Sequence, residues 1–210
     1  MSEQTRERTA AGHRSHYVSL PVGQPIWERF PLVAPLVLVA TLEPDGSADV
    51  APKHLAMPVS WQNWFGFVCH PDHGTYRNII VTEQFTVGYP SPRMMLQTSL
   101  AAAPRATDGS KPTVEVLSLT PARVVEGVLV EGCRLHLECR LDRVVDDLGG
   151  NVLIIGRVVA AHVDEHLLRS VDVDDHDLVH ATPLVAYVHP GRVATVDETV
   201  SFPYHVGFRR

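Results

Sequence analysis

The segment CRLHLECRLDRVV, which begins at Cys133, limits what this chain can fold into more than any other. Leu135, Leu137, Cys139 and Leu141 alternate with Arg134, His136, Glu138, Arg140 and Asp142. A period of two gives a strand one buried face and one wet face. The turn DDLGGN leads into NVLIIGRVVAAHVDE (151–165), which is apolar at almost every position. Together 134–145 and 152–163 predict a long hairpin whose second strand is covered on both sides, by a barrel interior and by a subunit interface.

The other apolar runs are short. PLVLVATL (35–42) ends at Asp45-Gly46, a good hairpin turn, and ADVAP (48–52) follows as its partner. WFGFVCH (64–70), QFTVGYP (84–90) and PLVAYV (183–188) read as further strands. Between them the pattern turns helical twice. One helix opens at Asp72 or His73, with Ile79 and Ile80 inward, and a second spans 92–103 behind Pro92. Residues 104–113 read as an exposed loop, 165–169 as a short helix and DVDDHDL as an acidic loop. Short hairpin-linked strands with few helices predict a mainly β fold, a closed antiparallel barrel with no open edge. The domain spans 26–200, between a flexible N-terminal tail (1–25) and a C-terminal tail (201–210) whose aromatics could pack on a partner.

Composition narrows the function. The net charge of −6, with both signs mixed along the chain, lacks the basic face that nucleic acid requires. No run approaches the roughly 20 apolar residues of a membrane span. The charged start MSEQTRERTAAGHRSHY has no signal-peptide core, so a cytoplasmic protein is expected. The three cysteines form no CxxC, and Cys139 reads as a small buried apolar residue. There is no GxGxxG, no phosphate loop, no GxSxG and no HExxH. Among the 12 histidines, His162-x3-His166 and His176-x3-His180 have ligand spacing beside an aspartate-rich run. A solvated acidic loop with surface histidines explains them better, and no metal is expected.

Two segments could carry chemistry. In HPDHGTYRNI (70–79) a strand gives way to a helix near Gly74-Thr75, where free N–H groups, a threonine hydroxyl and Arg77 could hold a phosphomonoester. An ordinary capped helix produces the same pattern more often. In DVAPKHLAMPVSW (49–61), Pro52 ends regular pairing and frees the following backbone N–H groups, beside Lys53 and His54. A plain strand-to-loop junction is the alternative there.

In order, DGSADVAPKHLAMPVSW, FGFVCHPDHGTYRNI and TEQFTVGYPS, then the long hairpin and PLVAYVHPGRVATV, resemble the flavin reductase-like, FMN-binding split-barrel family over roughly residues 30 to 196. The resemblance implies an antiparallel Greek-key split β-barrel with a few peripheral helices, dimeric, with FMN (or FAD) at the subunit interface. It implies that Thr75 and Asn78 sit beside the flavin phosphate. Pro52, Lys53, His54 and Leu55 would lie along the isoalloxazine, with Cys69 and His70 lining the same cleft. Tyr187 and His189 would border a nicotinamide pocket. The chain departs from the family at Asp49, where Asn is frequent, at His54, where Ser is common, and at Val68, where a Ser often donates. Asp49 is therefore left out of the site, and Lys53 and His54 would supply charge near flavin N1 or the phosphate.

The implied activity is NAD(P)H-dependent flavin reduction, hydride passing from NADH or NADPH to flavin N5 with no side-chain acid or base. A flavin-dependent monooxygenase is a possible partner for the reduced flavin. The alternative is a flavin-binding carrier or sensor without NAD(P)H turnover.

Overall fold

The computed structural model describes residues 16–203; residues 1–15 and 204–210, most of both expected tails, lie outside it. The described residues form twelve strands and three α-helices in chain order. They are β1 (Leu32–Pro35), β2 (Val37–Leu42), β3 (Ala48–Lys53), β4 (Ala56–Pro58), β5 (Trp64–Cys69), α1 (Gly74–Thr82), β6 (Gln84–Pro90), α2 (Met95–Leu100), β7 (Leu119–Pro121), β8 (Val128–Val130), β9 (Cys133–Leu148), β10 (Asn151–Val163), α3 (Asp175–Ala181), β11 (Leu184–His189) and β12 (Arg192–Val196).

Seven strands form one antiparallel sheet in the order β3-β2-β6-β9-β10-β5-β4. β3 and β4 are consecutive in the chain yet stand at opposite ends of that order, joined only by His54 and Leu55. An extended link that short spans about 11 Å between Lys53 and Ala56, so the sheet must curl until its two edges nearly meet. The result is a curled half-barrel whose seam the chain crosses once. The expected closure is thus incomplete, because β3 and β4 are not hydrogen-bonded to one another and remain edge strands.

The barrel interior holds Phe65, Phe67 and Phe85, with Phe67 and Phe85 edge-to-face at 5.5 Å, packed with Val37, Val39, Val87, Ile79, Cys139 and Ile154. A second cluster lies on the other side of β2, where Leu38 and Ala40 meet Val50, Met94, Ala101, Val114 and Val130. β2 is therefore buried on both faces, which is why VLVATL has no polar alternation. Cys139 is fully buried as expected, and burial pushes its thiol up to about 12.

The long hairpin forms as β9 and β10. Within the single chain the outer face of β10 is half-buried at Leu153, Ile155 and Val159. The wet face expected for β9 fails at Glu138, which has no exposed surface. The loop between β7 and β8 folds over it, and the backbone N–H groups of Arg123, Val124 and Val125 donate to its carboxylate.

Two local expectations change. Ile80 is 43% exposed, and α1 turns Thr75, Asn78 and Ile79 inward instead. The run DVDDHDL is no plain loop: Asp174 accepts from the His176 N–H and opens α3, which buries Leu178 and Val179. His176 and His180 bond backbone carbonyls of Thr199 and Asp197, and His162 bonds Glu138. Among the described residues no group of three His, Cys, Asp or Glu is placed to hold a metal. Lastly, residues 104–113 are largely exposed as expected, but Arg105 and Lys111 within them reach back to β3.

Candidate functional site: a cationic corner beside the seam

β3 presents one edge to a cavity of about 500 Å³. Asp49, Pro52 and Lys53 form one wall, the start of α1 a second, and Ala101–Arg105 with Lys111 a third. His73 is the N-cap of α1, but its side chain makes no capping bond. Its carbonyl receives the N–H groups of Tyr76 and Arg77. The first amides, at Gly74 and Thr75, thus point from the helix end without a side-chain cap, where the helix dipole favours an anion. The ordinary capped helix is not what the chain builds here.

Four cationic side chains line this cavity, Lys53, Arg77, Arg105 and Lys111, against Asp49 and the exposed Asp72. Asp49 is the hub. It is almost wholly buried and accepts from Thr75 Oγ1 at 3.2 Å, from Arg105 at 3.0 Å and from Lys111 Nζ at 3.3 Å. Lys111 also donates to the Val50 carbonyl at 2.7 Å, and Arg105 pairs with Glu43 as well. Burial lowers the Lys111 pKa, and Asp49 opposes that shift. Arg105 lies directly over Gly74: a methyl group there would stand 2.7 Å from a guanidinium nitrogen. Arg105 and Lys111 escaped the sequence reading, since a span of 62 residues separates Asp49 from Lys111. That reading leaves Asp49 out of the site as a carboxylate with nothing to donate; its part is that of the acceptor that gathers these groups.

Of the residues expected around a flavin, Pro52, Lys53 and Thr75 line the cavity. The Thr75 hydroxyl is given to Asp49, which leaves its main chain facing outward. Asn78 lies one turn further in and donates to Thr41 Oγ1 at 3.0 Å, tying α1 to β2. Cys69 is buried beneath, with Sγ 3.8 Å from His73 Nδ1. Burial raises the Cys69 thiol, against the pull of the neighbouring Lys53 ammonium. His70 sits beside Asp72, with 3.4 Å between Nδ1 and the carboxylate.

His54 and Leu55 occupy the seam itself. His54 stacks on Tyr187 at 4.5 Å and on His189 at 5.7 Å. The two residues expected at a nicotinamide pocket thus meet the one expected at the flavin ring. Burial first, then His189 and Lys53, lowers the His54 pKa. These effects disfavour the charged imidazole, so His54 brings an aromatic face and the charge at this point belongs to Lys53.

A family model described as flavin reductase like domain matches residues 29–193. The chain belongs to this flavin reductase-like family. Solved structures share the flavin reductase-like fold. One, assigned as a flavin reductase with a split barrel domain from Shewanella frigidimarina, is 19% identical, with a TM-score of 0.72 over 82% of this chain and 87% of that one. Flavoredoxin from Methanosarcina acetivorans is 16% identical, with a TM-score of 0.74 over 92% and 98%. Component B of nitrilotriacetate monooxygenase from Bacillus cereus is 17% identical, with a TM-score of 0.72 over 94% and 100%.

Proposed function

We propose that this flavin reductase-like protein is an NAD(P)H:flavin oxidoreductase, working as a homodimer that holds a flavin nucleotide at the cationic corner and seam. The observation that carries this reading is the uncapped start of α1, facing Lys53, Arg77 and Arg105 across one cavity. A doubly charged phosphoester fits that donor set, because N–H groups, two guanidiniums and an ammonium converge without a capping side chain to compete. FMN, the expectation from sequence, satisfies it.

When bound, the flavin supplies the redox chemistry, taking hydride from NADH or NADPH. The chain's own residues bind and orient. Arg105, Arg77 and the Gly74 and Thr75 amides hold the phosphate. Asp49 keeps Arg105 and Lys111 aimed at it, and Asn78 anchors the turn beneath. The chain from Pro52 to Leu55, at the end of β3, offers main-chain groups to the ring, and Lys53, beside Cys69, stabilises the negative charge that reduction leaves. The His54–Tyr187–His189 cluster supplies an aromatic surface on which a nicotinamide can lie. No side-chain acid or base is needed. A monooxygenase that consumes reduced flavin is a fitting partner, given the likeness to a protein named as a monooxygenase component.

The test is anaerobic mixing of flavin-loaded protein with NADH and with NADPH while the flavin's visible absorbance is followed. Rapid bleaching by either supports the reductase. A bound flavin that neither bleaches turns the reading to a carrier, and a protein that takes up no flavin defeats both.

A further inference from the structure

A separate cavity of about 420 Å³ lies between the entry to α2, the approach to β7 and the turn from β8 to β9. Its walls are tied to one another. The Glu131 N–H donates to the Ser118 carbonyl at 2.9 Å. Met94 packs so closely on Gly132 that a Cβ there would stand 3.0 Å from its sulfur. The cavity shares no lining residue with the cationic corner. Met94 faces this cavity and Ala101 faces the corner, so the six residues of α2, about 9 Å of helix, stand between the two.

Two polar groups lining it have nothing to bond. Ser91 is 6% exposed and precedes Pro92 as an N-cap, yet its hydroxyl caps no N–H and makes no hydrogen bond among the described residues. Arg134 gives Nη1 to Asp164, and its Nε is buried without a partner. Buried donors are normally paired, so two unpaired ones at a cavity point to an acceptor that comes from outside the chain. With Nη1 spent, Arg134 keeps the Nε–Nη2 edge, whose parallel N–H groups match the two oxygens of a carboxylate. Arg93 adds a second guanidinium at the exposed rim. Glu131 and Asp164 offset much of this positive charge, which suits a monoanion and disfavours a doubly charged phosphate. Met94, Val116 and Leu117 leave apolar wall for the rest of the ligand.

The geometry points to a binding site for a small monocarboxylate with an apolar body, held on Arg134 and Ser91 and distinct from the flavin corner.

The experiment titrates the full chain with sodium benzoate by isothermal calorimetry, beside benzamide and inorganic phosphate. Benzoate should bind with a Kd of about 1 mM or tighter, and at least about tenfold more tightly than either control. Arg134→Lys keeps a cation for Asp164 but loses the two-pronged edge, and should weaken benzoate about tenfold. Ser91→Ala removes one hydroxyl and should weaken it about fivefold, which keeps the test standing should the lysine variant not fold. Arg105→Met, in the cationic corner, should leave benzoate binding unchanged. Benzoate that binds no better than benzamide, or that ignores both Arg134→Lys and Ser91→Ala, overturns the assignment. Phosphate as the tighter ligand overturns it in favour of a phosphate site. Loss of benzoate binding in Arg105→Met overturns it by moving the carboxylate to the corner. None of these measurements needs bound flavin, so the flavin reading stands or falls separately.

Discussion

Gly74 is the residue on which the corner depends for its shape. Nothing in its backbone demands glycine, since it starts an ordinary helix and has no positive φ. What demands it is the Arg105 guanidinium resting where a Cβ would be. Gly74→Ala should leave stability within about 1 kcal/mol, because alanine favours the helix and the clashing atom ends a flexible side chain. It should also move the guanidinium and weaken flavin binding about tenfold, read by fluorescence titration beside urea denaturation. Glu138 sets a second expectation. Burial raises its pKa, but the His162 bond at 2.7 Å and three backbone donors outweigh that and bring it down to about 2, from an ordinary 4.5. The folded state thus favours the ionised form. Its contribution, on the order of 3 kcal/mol, is complete above the ordinary pKa and is lost as pH falls through the folded value. Glu138→Gln should cost about 2–3 kcal/mol at neutral pH and flatten the acid limb of stability, measured by urea melts across that range. Sequence could not show either role. Period two says which face Glu138 occupies and nothing about the loop that covers it, and Gly74 looks like any helix start until Arg105 arrives from elsewhere.

Elements were legible where one local pattern decided them. β6 has the limits its apolar run predicts, and the β9–β10 hairpin follows from alternation and the Gly149-Gly150 turn. α3 was hidden because its aspartates read as a solvated run, although Asp174 as cap and the buried pair Leu178 and Val179 spell a short helix. The strap from Arg105 to Lys111 was half legible: Asp108, Gly109 and Ser110 make a local turn, but the ion pairs with Glu43 and Asp49 that tie its ends down are encoded by no local pattern. The hairpin itself bends at a register shift between Ile155 and Gly156. There a Cβ would stand 2.6 Å from the Phe85 ring and 3.1 Å from the Arg140 carbonyl. Phe85 is 1% exposed and has nowhere to move. Gly156→Ala should therefore destabilise the protein by about 1–3 kcal/mol through overpacking, seen as a lower urea midpoint with an unchanged slope.

At the scale of the whole molecule, a single chain leaves apolar surface that a solitary domain has no use for. Val33 is 69% exposed in the small sheet β1-β11-β12, and Leu153, Ile155 and Val159 form a half-buried row on the outside of β10. A row of this kind, polar nowhere between its members except at Arg157, suits the proposed homodimer, for the fully buried centre of such an interface is depleted in charge. Ile155→Lys places a charge there while touching none of the interior residues, since Ile155 points away from the side that Ile154 fills. Sedimentation equilibrium should find the native chain at twice its chain mass and the variant at its chain mass, with the fold retained by circular dichroism. If the flavin is held between subunits, the two measurements are linked: a ligand that binds only the dimer draws chains together by mass action. Adding FMN or FAD should then shift the variant back toward the dimer in proportion to flavin concentration. A variant that stays monomeric yet binds flavin as tightly as the native chain would place the whole site within one subunit.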